Sequence, residues 1–389
     1  MKQSQLEGTI LILGATGAVG QEILNILAAR NWPADRLRLV ASEKSVGTEL
    51  PYLDRHIVVE RLQPDVFQGV SLVLSAASNE IAQAWLPLAV ESGATVIDNS
   101  SHFRHAPAVP LVIPEVNGNE LLAKGETARL IANPNCSTIL LLVATNPLRC
   151  RFGVEAIDVC TYQAVSGAGL AGMDELRGQA QAQLSGHSVA PKVFPEPCAF
   201  NVFTHESQLD LASGLNGEEQ KIIVEVRRIW GQPDLALTPT CVRVPVFRAH
   251  SQAVTVTLAT PANLDEVRSA FDGAPGISLV DDRQRQVFPT PLAATGRDEV
   301  LVGRLRPDPA GVLDADGRTR RWCLFLSGDQ LRKGAALNAI QIADLIGLNT
   351  TAAASPNNAT LKHRSPTTVL TKNGSPAIKQ ASSPSTVGG

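Results

Sequence analysis

The chain has 389 residues, of which 44% are hydrophobic and 18% charged, and its formal net charge is −3. That length allows two cores of ordinary globular composition. The near balance of charge removes nucleic acid and an anionic membrane as expected partners. Six cysteines stand singly without a C-x-x-C pair, and seven histidines do not cluster with them, so no metal site is expected. No apolar run approaches the roughly 18 residues of a membrane span, and nothing resembles a signal peptide. The expectation is a cytoplasmic enzyme with reduced thiols.

In chain order, Thr9–Leu13 is a short, continuously apolar run of the kind found in a strand buried on both faces. Gly14-Ala15-Thr16-Gly17-Ala18-Val19-Gly20 follows, then a helical pattern carried by Ile23, Leu24, Ile26 and Leu27. A glycine-rich turn between a first strand and a first helix is the phosphate cradle of a dinucleotide-binding unit. Further strands are predicted at 36–42, 71–77 and 95–100, with a helix over 79–92. This alternation implies a parallel sheet covered on both faces. The second predicted strand ends Ser42-Glu43-Lys44-Ser45, offering hydroxyls and a cation that suit a 2′-phosphate, so NADP(H) is favoured provided Glu43 points away.

Asn133-Pro134-Asn135-Cys136-Ser137-Thr138 precedes the apolar run 139–144 and would start a helix. Free N–H groups and the positive end of the helix dipole there favour a thiolate, the nucleophilic form. From about Pro134 the pattern changes to strands of a more open sheet at 154–165, 253–259 and 320–327. Helices are predicted over 218–230 and 331–348. Gln163 and Ser166-Gly167-Ala168-Gly169 close one strand, and Ser100–Arg104 closes another, where parallel sheets place ligands. Glu218 and Lys221 share one helical face. Arg243 and His250 would lie on opposite faces of an unbroken strand, but Pro245 marks an interruption that lets both face one cleft. Residues 349–389 contain no Trp, Tyr, Phe, Asp or Glu and are expected to form a disordered tail. The tail carries Lys362, Arg364, Lys372 and Lys379, so the remainder holds about −3 − 4 = −7.

Taken in order, these segments resemble aspartate-semialdehyde dehydrogenases from about Gly8 to Leu348. The markers are Gly14–Gly20, Leu111–Asn117, Asn133–Thr138, Ser166–Gly172, Ala199–Val202, Glu218–Lys221, Arg243–His250 and Leu331–Asn338. The resemblance implies an α/β fold: an N-terminal Rossmann-type parallel sheet over 1–133, completed by helix 331–348, and a second α+β catalytic and dimerisation domain over 134–330. It implies NADPH-dependent reduction of aspartyl phosphate to aspartate semialdehyde, with release of phosphate, towards lysine, methionine and threonine. Cys136 would be the thioester nucleophile, His250 the acid/base and Gln163 the residue positioning substrate and thioester. Arg243 would grip the substrate carboxylate, Glu218 would meet its amine, and Arg104, Asn135 and Lys221 would hold phosphate. Gly14, Thr16, Gly17, Ala18, Val19, Lys44, Ser45, Ser166, Gly167 and Asn338 would hold the cofactor. A homodimer is implied, built through the second domain.

Three segments depart from the family pattern: Ser75-Ala76-Ala77-Ser78 where glycine is common, Lys44 where arginine is common, and Phe203-Thr204-His205 where a proline is usual. Two rival readings are an N-acetyl-glutamyl-phosphate reductase, whose cysteine sits in a G-C-Y-P-like setting not matched here, and a catalytically silent nucleotide-binding paralogue.

Overall fold

A computed structural model describes residues 8–123 and 128–347. The expected disordered tail, 349–389, lies outside the described residues, as does Leu348 at the end of the last predicted helix.

The N-terminal half is built on strands β1 (Thr9–Leu13), β2 (Leu37–Ala41), β3 (Glu49–Tyr52), β4 (Arg55–Arg61), β5 (Val70–Ser75), β6 (Thr95–Asp98) and β7 (Leu130–Ala132). Their order is β3-β4-β2-β1-β5-β6-β7, parallel throughout except for the β3–β4 hairpin. Ile10, Leu11 and Ile12 of β1 have no exposed surface, as a strand covered on both faces requires. Helices α1 (Ala18–Ala29) and α2 (Asn79–Glu91) supply that cover from opposite sides, and α3 (Pro114–Ala123) follows β6. β1 lies between β2 and β5, so the glycine turn at its carboxyl end opens at the point where strand order reverses, the usual ligand crevice of such sheets.

Helix α4 (Cys136–Phe152) leads into the second sheet, and eleven of its 17 residues are buried. Its apolar side chains join one core with Val154, Ile157, Val159, Val254, Val256, Leu324 and Leu326. Each fully buried Leu or Ile contributes about 1.5–3 kcal/mol. That burial fixes the start of α4, where Cys136 stands half-buried. The second sheet uses β8 (Val154–Gln163), β9 (Phe203–Thr204), β10 (Ala236–Arg243), β11 (His250–Ala262), β12 (Ile277–Leu279), β13 (Val300–Pro307) and β14 (Thr319–Gly328). Their order is β12-β13-β14-β11-β8-β10-β9. Helices α5 (Gly169–Leu184), α6 (Gly217–Trp230), α7 (Leu264–Ser269) and α8 (Pro291–Ala294) lie between these strands in the chain.

The segment after β14 begins with a π-helical turn, Arg332–Ala336, before α9 (Leu337–Leu345). Ala336, Leu337, Ala339, Ile340, Ile342 and Ala343 pack with Ile10, Ile12 and Ile23, so this late segment completes the first core. Among the described residues no helix is long and apolar enough to cross a membrane.

Candidate active site

The two sheets border a cleft of about 520 Å³. On one side lies the turn after β1. Gly14 has φ +88°, and a Cβ there would lie 2.6 Å from the Ala76 carbonyl oxygen, so only glycine suits this turn. Helix α1 has no side-chain cap at Gly17 and no acidic residue in its first turn. Gly17, Ala18 and Val19 line the cleft, leaving free N–H groups and a positive helix end, a donor set that fits a pyrophosphate. Thr16 Oγ1 lies 3.4 Å from Ser45 Oγ, which joins this loop to the one after β2. Lys44 is exposed there, and Glu43 is drawn aside into an ion pair with Arg61, as a 2′-phosphate at this place would require.

On the floor stands Cys136. Pro134 disfavours helix for Asn133 before it, and Asn135 caps α4, its Oδ1 accepting from the Ser137 and Thr138 N–H groups at 2.9 and 3.1 Å. Helix α6 fixes this corner from the side. Glu218 Oε1 accepts from Asn135 Nδ2 (2.8 Å) and Gln163 Nε2 (3.1 Å), and Glu225 Oε2 accepts from the Asn135 backbone N–H (2.6 Å). The turn before α9 presses on the sulfur-bearing residue: a Cβ at Gly334 would come 3.1 Å from the Cys136 Cβ.

Gln163 ends β8, and its two neighbours in the sheet finish at the same edge. Arg243 of β10 pairs with Gln163, and Ser251 of β11 with Tyr162. The chain between β10 and β11 leaves the sheet at residues 244–249, so Arg243 and His250 flank one end of β8, as the interruption at Pro245 predicts. Ala164 orients both. Its carbonyl accepts from Arg243 Nη1 (2.8 Å), and its N–H donates to His250 Nδ1 (2.9 Å). The neutral imidazole therefore carries its hydrogen on Nε2. That atom is buried without a partner among the described residues, and it faces Gly167 of the cleft wall.

The electrostatics correct one expectation. The helix start does not leave Cys136 as a ready thiolate. Burial, with the nearby Glu218 charge, pushes its thiol up to about 11, against the opposing pull of Arg104, the Ser137 N–H and Arg243. Burial and Arg243 together hold His250 down to about 3, so it is neutral at ordinary pH. Burial would raise Glu218, but Lys221, His205 and the Asn135 and Gln163 amides outweigh it and hold the carboxyl at about 2. Alkylation of Cys136 by iodoacetamide in ligand-free protein should thus rise about tenfold per pH unit between about pH 7 and 9 without levelling. The modified peptide, read by mass spectrometry, checks this, and a plateau below about pH 8 would contradict it.

Arg104 is buried, donating to the Asn133 carbonyl (2.9 Å), the Asn99 carbonyl (2.7 Å) and Glu225 (3.2 Å). Lys221 Nζ lies 3.3 Å from Glu218. Arg104, Asn135 and Lys221 all line the cleft, as do Ser166 and Gly167. Asn338 does not. Its amide is wholly buried, donating to the Val112 carbonyl (3.1 Å) and Asn133 Oδ1 (2.6 Å) and accepting from Lys333 Nζ (2.9 Å). It staples the loop before Cys136 to α9.

Four further residues shape the site and escape the sequence reading. Glu225 lies two helical turns beyond Glu218, a spacing that could have revealed it. Gln330 accepts from the Ala249 N–H (2.9 Å) and donates to Ser166 Oγ. His205 and Glu206 reach Arg243 from the segment after β9, and no local pattern marks them.

Comparison with known proteins agrees with this geometry. Residues 9–124 match the family described as semialdehyde dehydrogenase, NAD binding domain, and residues 145–333 match semialdehyde dehydrogenase, dimerisation domain. An aspartate-semialdehyde dehydrogenase of Synechocystis is 44% identical over 337 residues, covering 87% of this chain and 96% of the relative. Aspartate-semialdehyde dehydrogenase 2 of Vibrio cholerae is 41% identical over 338 residues, covering 87% of this chain and 97% of its own length. The crystal structure of Vibrio cholerae aspartate semialdehyde dehydrogenase II complexed with ASA aligns with a TM-score of 0.82 at 40% identity, covering 88% of this chain and 98% of that one. With its cysteine, glutamine, arginine and histidine gathered beside a dinucleotide-binding turn, the chain belongs to the aspartate-semialdehyde dehydrogenase family.

Proposed function

We propose that the cleft carries out the reductive dephosphorylation of aspartyl phosphate to aspartate semialdehyde, with Cys136, Gln163, Arg243 and His250 as its working residues. The observation that carries this reading is that the Ala164 carbonyl and N–H hold Arg243, which lines the cleft with Cys136, and His250, whose Nε2 abuts Gly167 of the cleft wall, on either side of β8.

Arg243 takes the substrate carboxylate, because its planar guanidinium can bind both oxygens of a carboxylate at once. Arg104, Asn135 and Lys221 receive the phosphate, and Glu218 fixes Asn135 and Gln163 against it. Cys136 Sγ attacks the acyl carbon, the bond to the phosphate oxygen breaks, and the thiol proton leaves on the phosphate. That route suits a thiol protonated at neutral pH and an imidazole whose free nitrogen already bears hydrogen. His250 Nε2–H donates to the acyl oxygen as negative charge builds on it, a contribution of about 10²–10⁴-fold for a positioned acid. NADP(H) is the cofactor, and the nicotinamide supplies the hydride when bound. His250 Nε2–H would hold the oxygen of the tetrahedral thioester adduct until the C–S bond breaks, releasing the aldehyde and a Cys136 thiolate that takes its proton back from solvent.

The region of the second sheet matches a dimerisation domain, and a homodimer built through it in the cytoplasm is the assembly proposed. The function is tested in the reverse direction. Full-length protein should reduce NADP⁺ with aspartate semialdehyde only when phosphate or a phosphate mimic is present, and should do so poorly with N-acetylglutamate semialdehyde. Preference for the second aldehyde, or turnover independent of phosphate, would overturn the reading.

A further inference from the structure

Arg243 already has a carboxylate. Its Nε lies 3.2 Å from Glu206 Oε2 and its Nη2 lies 2.5 Å from Glu206 Oε1, the paired geometry a bound substrate carboxylate would use. His205 Nε2 lies 3.0 Å from Nη2, and the Ala164 carbonyl takes one hydrogen of Nη1. The Nε–Nη2 edge, one that grips a carboxylate by both oxygens, is therefore already filled. The two partners differ in freedom. The Arg243 side chain is 2% exposed and stacked 5.3 Å from the Phe194 ring, whereas Glu206 is 22% exposed at the cleft wall. Of the pair, Glu206 is the one with room to move.

We propose that Glu206 is a specificity-determining residue: in the free protein it occupies the carboxylate face of Arg243, and a ligand enters only by exchanging its own carboxylate for that of Glu206. This rests on the reading that Arg243 holds the substrate carboxylate. An internal competitor lowers affinity for every ligand, but lowers it most for neutral ones, which offer nothing in exchange. Discrimination in favour of carboxylates follows.

The test uses the full chain with Glu206→Gln and Glu206→Asp, measuring KM for aspartate semialdehyde and Ki for succinate, a dicarboxylate without an amine. Glu206→Gln should lower both about tenfold, the scale of one charge-assisted hydrogen bond. Glu206→Asp keeps the charge on a shorter arm and should fall between Gln and the unaltered protein. It serves alone if the Gln variant does not fold. The upward shift in Tm produced by succinate should also be larger in the variants, which a merely structural ion pair would not cause. Unchanged or raised values for both ligands would overturn the proposal. So would a raised KM for the aldehyde with unchanged Ki for succinate, which would make Glu206 the seat of the substrate ammonium. Arg243→Lys runs alongside. If it alters neither constant, the carboxylate reading of Arg243 fails; if it raises both while Glu206 variants change nothing, only the present inference falls.

Discussion

Replacing Cys136 by alanine should lower turnover by on the order of 10⁴-fold or more while leaving the fold in place, because the chemistry passes through a bond to its sulfur. The position is structurally undemanding. Cys136 is the first residue of α4, and the cap of that helix comes from Asn135, whose side chain satisfies the Ser137 and Thr138 N–H groups whatever stands between. Loss of activity with an unchanged Tm would therefore locate the effect in chemistry. Intact-protein mass spectrometry after mixing with aspartyl phosphate gives the sharper check, since the acyl adduct should vanish in Cys136→Ala. An adduct of normal amount in the variant would remove Cys136 from the mechanism.

Arg243→Lys should raise KM for aspartate semialdehyde about ten- to a hundredfold, and should raise it more than it lowers kcat. A carboxylate far from the reacting carbon is held equally in the ground and transition states, so its loss shows as weaker binding. Lysine offers one ammonium where arginine spans the Ala164 carbonyl and a carboxylate together. The variant also frees the Ala164 carbonyl, which is held in the same peptide arrangement that fixes His250, so some fall in kcat is expected. Steady-state kinetics with both substrates varied separates the two effects. A KM within about twofold of the unaltered protein would take the carboxylate away from Arg243.

Burial works against the thiolate expected at this helix start, for a reason that generalises. A helix start favours the anion through groups within one turn, and these are visible in sequence. The desolvation of Cys136 comes from residues far away in the chain, including the core that seats α4 and the π turn bearing Gly334, and no local pattern reports it. Asn338 illustrates the same limit. Its place in the family pattern was legible, but whether its amide faces cofactor or protein depends on Val112, Asn133 and Lys333.

The sequence by itself determined the classes of element and the chemistry available. Buried strands read as unbroken apolar runs, the glycine turn announced itself by a backbone only glycine tolerates, and Cys136, Gln163, Arg243 and His250 stood in segments whose types suit acyl transfer. Each of these signals is local, set by the side-chain period of a strand or helix or by the φ of one residue. The tertiary structure decided which polar groups meet and in what state. Register across β8 set Arg243 beside Gln163, one peptide at Ala164 chose the tautomer of His250, α6 brought Glu218 and Glu225 to the cysteine loop, and Glu206 reached Arg243. Such pairings join residues tens of positions apart, and protonation follows from the dielectric and charges that packing assembles around them. These belong to the folded molecule and not to any stretch of its chain.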